Sequence, residues 1–272
     1  MNVSGLEINQ YFVRAIELKR VRGKLSVSAL AEEPLVPGTI VNGLLKNRQN
    51  FTIALAKLLK NFRGGSSHWI ISIPVGGVYT TERVFPKLSS ENLKEAVEVN
   101  VGSELPGNLE NLFWGWQEIS LSGEGKGILI SSIKKTHLEE FLKVFSELRM
   151  VPIAVEPRSC SIVRALIQAN KDSTSLILDV EGTPLEKSQT PLTSLIISQG
   201  ALKFAQEKNI SSPDEIIGEI KKLLNYYLIE KKEEQITGII LNGTFGSDLK
   251  AQLENEFHLE VKTASEIFPT ST

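Results

Sequence analysis

An α/β fold is what this sequence predicts. Strand-sized apolar segments alternate with amphipathic helical runs along its 272 residues, and three passages repeat one layout, a strand that ends in a tight turn. These passages are residues 6–18 (LEINQYFVRAIEL), 176–183 (LILDVEGT) and 239–246 (IILNGTFG). An apolar strand, an acid or Asn at its end and a tight turn form the general layout of a phosphate cradle, because backbone N–H groups converge there. The first turn carries Asn9, Gln10, Tyr11 and Phe12, where a cradle wants glycine and small hydroxyls. The frame is present, and its pocket reads as blocked.

The elements follow in order. Residues 6–8, 13–19 and 24–33 read as strands, with Arg22-Gly23 turning the second into the third. Pro34, Pro37 and Gly38 punctuate a loop. A helix over 48–62 puts Phe51, Leu55, Leu58, Leu59 and Phe62 on one face. Gly64-Gly65-Ser66-Ser67 ends it, and 69–75 reads as a buried strand. The pattern then changes. A strand over 79–85 precedes Ser89-Ser90-Glu91, a good helix start, and that helix carries Leu93, Ala96, Val97 and Val101 inward as far as Pro106-Gly107. A strand over 112–121 alternates imperfectly, and a turn with Gly123, Gly125 and Gly127 leads into a strand over 127–132. The helix over 137–148 is amphipathic through Leu138, Phe141, Leu142, Phe145 and Leu148. This β-α-β-β-α block reads as an inserted subdomain over 78–150.

A strand over 151–155 and a helix through Val163, Leu166 and Ile167 follow. The second half opens with a strand over 176–180, a loop over 181–190 and a strand over 193–198. The segment 199–214 reads as a connection. The helix over 213–230 presents Ile216, Ile217, Ile220, Leu223, Leu224, Tyr227 and Leu228 on one face, and the charged run over 230–234 reads as solvated surface. A strand over 236–241, a helix over 248–257 and a strand over 259–262 complete the chain.

Composition narrows the function. Thirty basic against 32 acidic residues give a net charge of −2, so no strong overall field draws the molecule to nucleic acid or anionic lipid. The single Cys160 cannot form an internal disulfide, which favours a reducing, cytoplasmic setting, and it has no evident base to make it a nucleophile. His68, His137 and His258 lack metal-ligand spacing. No secretory signal follows Met1, and no apolar run approaches the roughly 20 residues that span a bilayer. Membrane association is expected through a partner.

Several segments, in this order and spacing, resemble the PilM family of type IV pilus assembly proteins, actin-like relatives of the division protein FtsA. They are LEINQYFVRAIELKR, EEPLVPGTIVNG, the stretch from HWIISIPVGGVYTTERVF to NLFWGWQEI, LRMVPIAVEPRSCSIVRAL and EIIGEIKKLLNYYL. The resemblance implies an actin-like (ribonuclease H-like) two-domain fold with mixed sheets: a first domain from 1–77 and 151–172, the inserted subdomain, and a shortened second domain from 173–272. It also implies that Glu7, Asn9, Asp179, Gly182, Thr183 and Gly243 stand at the positions of an ATP site, here degenerate, so that no cofactor and no ATP hydrolysis are expected, with ATP and Mg²⁺ as the alternative. The family pattern at the first turn resembles Ile-Asp-Ile-Gly-Ser-Ser-Ser. Here Glu7 takes the place of Asp, Asn9 that of Gly, and Gln10, Tyr11 and Phe12 those of the serines. Glycine is needed where amides approach phosphate closely, and aromatic bulk obstructs it. At the second turn Asp179 is kept, Glu181 stands where Gly belongs, and Gly182 and Thr183 are displaced by one. The third keeps Asn242-Gly243-Thr244-Phe245-Gly246. The family's longer helical region after the strand at 193–198 and its last helix have no counterpart, so the cap over nucleotide is expected to be reduced.

Asp179 at a strand end fits either a magnesium ligand or a loop cap, and the degraded first turn favours the cap. Trp114 and Trp116 lie two apart on one strand and face one side, as core or as anchors in a peptide groove. No Ser-His-Asp or paired-carboxylate arrangement is recognisable. The expected function, by resemblance, is a cytoplasmic scaffold of the pilus machine, peripheral to the inner face of the membrane. Such a scaffold grips the N-terminal cytoplasmic tail of a PilN-like inner-membrane protein between the first subdomain and the inserted one. Pro74, Phe85, Ala96, Val97, Trp114 and Trp116 are the candidate partner residues. Assembly ATPases are further expected neighbours, with self-association open. The alternatives are a weak actin-like ATPase and a GspL-like cytoplasmic domain of type II secretion.

Overall fold

The computed structural model describes residues 3–119, 125–166, 173–180, 190–230, 235–246 and 248–267. The chain forms two compact units, one of Met1–Tyr79, Asn100–Gly115 and Ser131–Ser161, the other of Thr80–Val99, Trp116–Ile130 and Ile162–Thr272.

The chain opens as a meander of β1 (Ser4–Ile8), β2 (Phe12–Val21) and β3 (Lys24–Pro34). Arg22 and Gly23 both hold positive φ (51° and 83°), the geometry whose twist matches antiparallel strands. A second, shorter hairpin, β4 (Ile40–Val41) with β5 (Leu44–Leu45), falls where the sequence suggests only a loop. Its turn residues Asn42 and Gly43 also have positive φ. Gly43 lies so close to the Val75–Gly77 turn that a Cβ would sit 2.3 Å from the Gly77 nitrogen. Glycine is required there on two counts.

Next come α1 (Arg48–Asn61), capped by the Asn47 side chain accepting from Asn50 N at 3.0 Å, and β6 (His68–Ile73). Then follow β7 (Val78–Phe85), α2 (Ser90–Glu104), β8 (Leu112–Ile119), β9 (Lys126–Lys134), α3 (Lys135–Glu147), β10 (Val151–Pro157) and α4 (Arg158–Leu166). The start of α2 is capped as expected, Asn92 N donating to Ser89 Oγ at 3.3 Å. Gly123, expected in a turn, lies outside the described residues.

Five strands of the first unit assemble in the order β10-β6-β1-β2-β3, with β1, β6 and β10 parallel and β2 and β3 antiparallel. Alternation puts Leu6, Ile8, Val13, Ala15 and Ile71 on one face. There they meet Phe51, Leu55 and Leu58 of α1 and Leu138, Phe141 and Phe145 of α3 in one core. Phe51 and Phe141 meet edge to face at 5.4 Å, and each such side chain contributes about 1.5–3 kcal/mol by leaving water. Strands β7, β9 and β8 form a separate three-stranded sheet in that order, so β7 and β8 are its edges.

The second unit repeats the strand plan of the first. It contains β11 (Thr174–Val180), β12 (Thr190–Ser198), β13 (Ala201–Ile210), α5 (Pro213–Glu230), β14 (Ile236–Gly243), α6 (Leu249–Phe257), β15 (Glu260–Thr263) and α7 (Ala264–Ile267). Its sheet order is β13-β12-β11-β14-β15: an antiparallel meander first, then two parallel strands, as in the other sheet. Every residue of β11 is buried, as suits a central strand. Ile216, Ile220, Leu223 and Tyr227 of α5 share its core with Leu249 and Leu253 of α6.

The segment 199–214, expected to be a connection, is mostly strand. Gln199 and Gly200 turn with positive φ, and β13 runs ten residues beside β12. Its Lys203 is held in a nearly dry ion pair with Glu82 of β7 (2.6 Å; side chains 6% and 12% exposed). The charged run at 231–234 lies outside the described residues. Among the described residues, no helix is long and apolar enough to cross a membrane.

Candidate functional site

The first turn joins β1 to β2, and Asn9 organises it. Its Oδ1 accepts from the backbone N–H groups of Tyr11 (2.9 Å) and Phe12 (2.8 Å), and its own N–H donates to the Phe12 carbonyl (3.1 Å). The Tyr11 carbonyl accepts from Leu35 N at 2.6 Å. Asn9 is fully buried, and its Nδ2 has no partner among the described residues. The amide orientation is nonetheless fixed, since only the oxygen can accept two N–H bonds. A phosphate seated here would need those same two donors. Both are already satisfied, by a side chain that is itself enclosed.

Charge at this turn is also balanced internally. Glu7 Oε1 accepts from Arg158 Nε at 2.7 Å, and Arg14 Nη1 stands 3.9 Å from Glu7 Oε2. Arg158 is a buried residue, so its guanidinium compensates the carboxylate in a poorly hydrated place, where such pairs are strong. Arg14 additionally pairs with Glu32 and lies over the Phe12 ring, 3.7 Å from its centroid. The acid that stands in place of the family's Asp thus faces arginine. Arg158 escapes sequence reasoning because its partner lies 151 positions away and no local spacing signals the contact.

The strand ends that lead toward the second and third turns lie side by side in the other unit. Asp179 is fully buried in β11, and its Oδ1 accepts from Asn242 Nδ2 at 2.6 Å, the two residues being in register on adjacent parallel strands. Gly243 follows with φ of 87°, and a Cβ there would lie 2.0 Å from the Val180 carbonyl oxygen. Thr244 N donates to that same oxygen at 3.0 Å. Asn242 and Gly243 therefore fasten β14 to β11, a structural reason for both residue types. Glu181, Gly182 and Thr183 lie outside the described residues.

The residues of this turn do not fit a bound ATP–Mg²⁺: its amides are taken by Asn9 and its acid by Arg158. The candidate partner residues divide by exposure. Pro74 is buried ahead of the Val75–Gly77 turn, and Val97 is wholly enclosed in α2. Phe85, Ala96, Trp114 and Trp116 are half-buried. Trp114 and Trp116 share the face of buried Leu112, while Phe113, 38% exposed, faces the other way with Lys135 Nζ 5.7 Å from its ring centroid.

The sequence profile of the family described as type IV pilus assembly protein PilM matches residues 5–182. The chain belongs to that family. It superposes on a structure of the PilM-PilN type IV pilus biogenesis complex with a TM-score of 0.77 at 15% identity, over 98% of this chain and 90% of that one. A Bacteroides thetaiotaomicron protein with an actin-like ATPase fold gives 0.55 at 11% identity, over 97% and 91%. The cytoplasmic domain of EpsL, an inner-membrane component of the Vibrio cholerae type II secretion system, gives 0.51 at 8% identity, over 91% and 84%. The fold is actin-like, and the matched strand plan of the two sheets is its backbone expression. In this chain an asparagine side chain fills the first turn.

Proposed function

We propose that this chain is a scaffold of type IV pilus assembly. It holds the extended N-terminal cytoplasmic tail of a PilN-like inner-membrane protein, and it does so without binding or hydrolysing ATP. The single observation that carries the reading is the capture of the Tyr11 and Phe12 amides by Asn9 Oδ1. Family membership supports the pilus role, and the likeness to a PilM-PilN complex supports the choice of partner. A short tail gains most from main-chain pairing with an exposed sheet edge, and β7 is such an edge, half-exposed along its length and ending at Phe85. Trp114 and Trp116 on β8 are large side chains of the type that anchors a bound peptide. The scaffold works at the inner face of the membrane because its partner is anchored there, with assembly ATPases as neighbours.

Asp179 is the observation that favours the weak-ATPase reading, and its bond to Asn242 gives it a structural occupation instead. The likeness to EpsL is one of fold alone. A labelled tail peptide of about ten residues, long enough to add one strand, titrated with and without ATP and Mg²⁺ tests the proposal. Saturable binding that shifts by less than about twofold with nucleotide is expected, since a ligand that does not bind contributes no coupling. Absence of tail binding, or binding that requires ATP, overturns it.

A further inference from the structure

The β2–β3 hairpin outruns its sheet. β1 pairs with β2 only from Val13 to Glu17, so Leu18 to Val21 and the facing part of β3 continue as a two-stranded arm. At ~3.3 Å per residue this arm extends roughly 13 Å beyond the last β1 pairing. β3 is also the free edge of the five-stranded sheet. A ribbon of two strands has little means of burying apolar side chains by itself.

Its surface is nonetheless apolar and basic. Leu18, Val21, Leu25, Val27 and Leu30 are each 48–65% exposed. Leu18 faces Val27 across the ladder and Arg20 faces Leu25, so aliphatic and cationic residues are interleaved. Residues 18–31 (LKRVRGKLSVSALA) contain Lys19, Arg20, Arg22 and Lys24 and no acid. Lys19 and Arg22 make no ion pair among the described residues, and Arg20 Nη1 donates to the Gly23 carbonyl (3.3 Å) rather than to a carboxylate. The nearest acid along β2, Glu17, is buried at the arm's base, accepting from Gly65 N (2.9 Å) and Ser28 Oγ (3.1 Å). A whole-chain charge of −2 therefore conceals one strongly cationic arm.

We propose that this arm docks on an anionic phospholipid bilayer. Leu18, Leu25 and Val27, which the register puts on one face of the ribbon with Arg20, enter the boundary between headgroups and acyl chains, while Lys19, Arg20 and Arg22 reach lipid phosphates. Charge complementarity selects an anionic surface, and the absence of any aromatic residue from 18–31 argues against single-stranded nucleic acid, whose bases stack on rings. The exposed aliphatic side chains find no apolar cover on a duplex backbone but do in a bilayer. The aliphatic residues have no other cover among the described parts of the chain. The inference is independent of tail binding and of the state of the first turn.

The test is sedimentation of the full chain with vesicles of phosphatidylglycerol and phosphatidylethanolamine, against vesicles of phosphatidylcholine alone. The chain sediments with the anionic vesicles only, and less as salt rises. Arg20→Ser with Arg22→Ser weakens binding about 25-fold, near fivefold for each cation removed. Leu25→Ser with Val27→Ser weakens it about tenfold through lost apolar contact. Equal sedimentation with both vesicle types, or none with either, overturns the proposal. So do variants that bind like the parent chain, an equal affinity for duplex DNA, or a hairpin-dependent dimer in light scattering without vesicle binding. All four substituted residues are exposed, so the variants keep the parent far-UV circular dichroism.

Discussion

Asn9 does inside the first turn what a phosphate oxygen does in a cradle: it accepts from two consecutive backbone N–H groups. The exchange is favourable for stability, because a buried amide left without an acceptor costs more than an average hydrogen bond gains. Asn9→Ala removes both bonds and leaves two donors unmet, so it should destabilise folding by about 2–3 kcal/mol. Gln10→Ala, one position on and only half-buried, should stay within about 0.5 kcal/mol. Urea unfolding of the two variants checks the contrast. Equal midpoints would mean the Asn9 bonds are dispensable. That the first turn departs from the glycine-and-serine layout of a cradle was legible in the sequence, since Asn9, Tyr11 and Phe12 stand there. The manner of it was not: bulk was expected to obstruct, whereas the structure shows a small amide satisfying the donors.

At the scale of elements, β13 is the instructive difference. Its sequence ALKFAQEKNI carries Lys203, Gln206, Glu207, Lys208 and Asn209, polar residues that disguise an edge strand as a loop. Its pairing is supplied by β12, and its Lys203 is satisfied by Glu82 from β7, a partner 121 positions away. Long, periodic helices such as α1, α3 and α5 were legible because their apolar faces repeat locally. The β4–β5 hairpin was not, since its seat is set by Gly43 against Gly76-Gly77, a close approach between distant glycines. The buried ion pair makes its own prediction. Lys203→Met strands the Glu82 carboxylate and should cost about 3–5 kcal/mol, whereas Lys203→Met with Glu82→Leu should recover most of that loss. Thermal melts of parent, single and double variants check it, and a double variant as weak as the single one contradicts it.

For the whole molecule, the same five-strand plan appears twice, and in each copy polar side chains at the ends of parallel strands are engaged with one another. In one copy Asn9 and Arg158 occupy the turn, and in the other Asn242 and Gly243 secure it. Among the described residues, the actin-like frame keeps its architecture while Asn9, Glu7, Arg158, Asp179 and Asn242 engage one another or the backbone at these strand ends. The most direct measurement of this account is calorimetric titration of the full chain with ATP and Mg²⁺. The account predicts no saturable heat up to roughly millimolar nucleotide, the limit at which binding is worth only about 4 kcal/mol. A saturating isotherm in the micromolar range would contradict it.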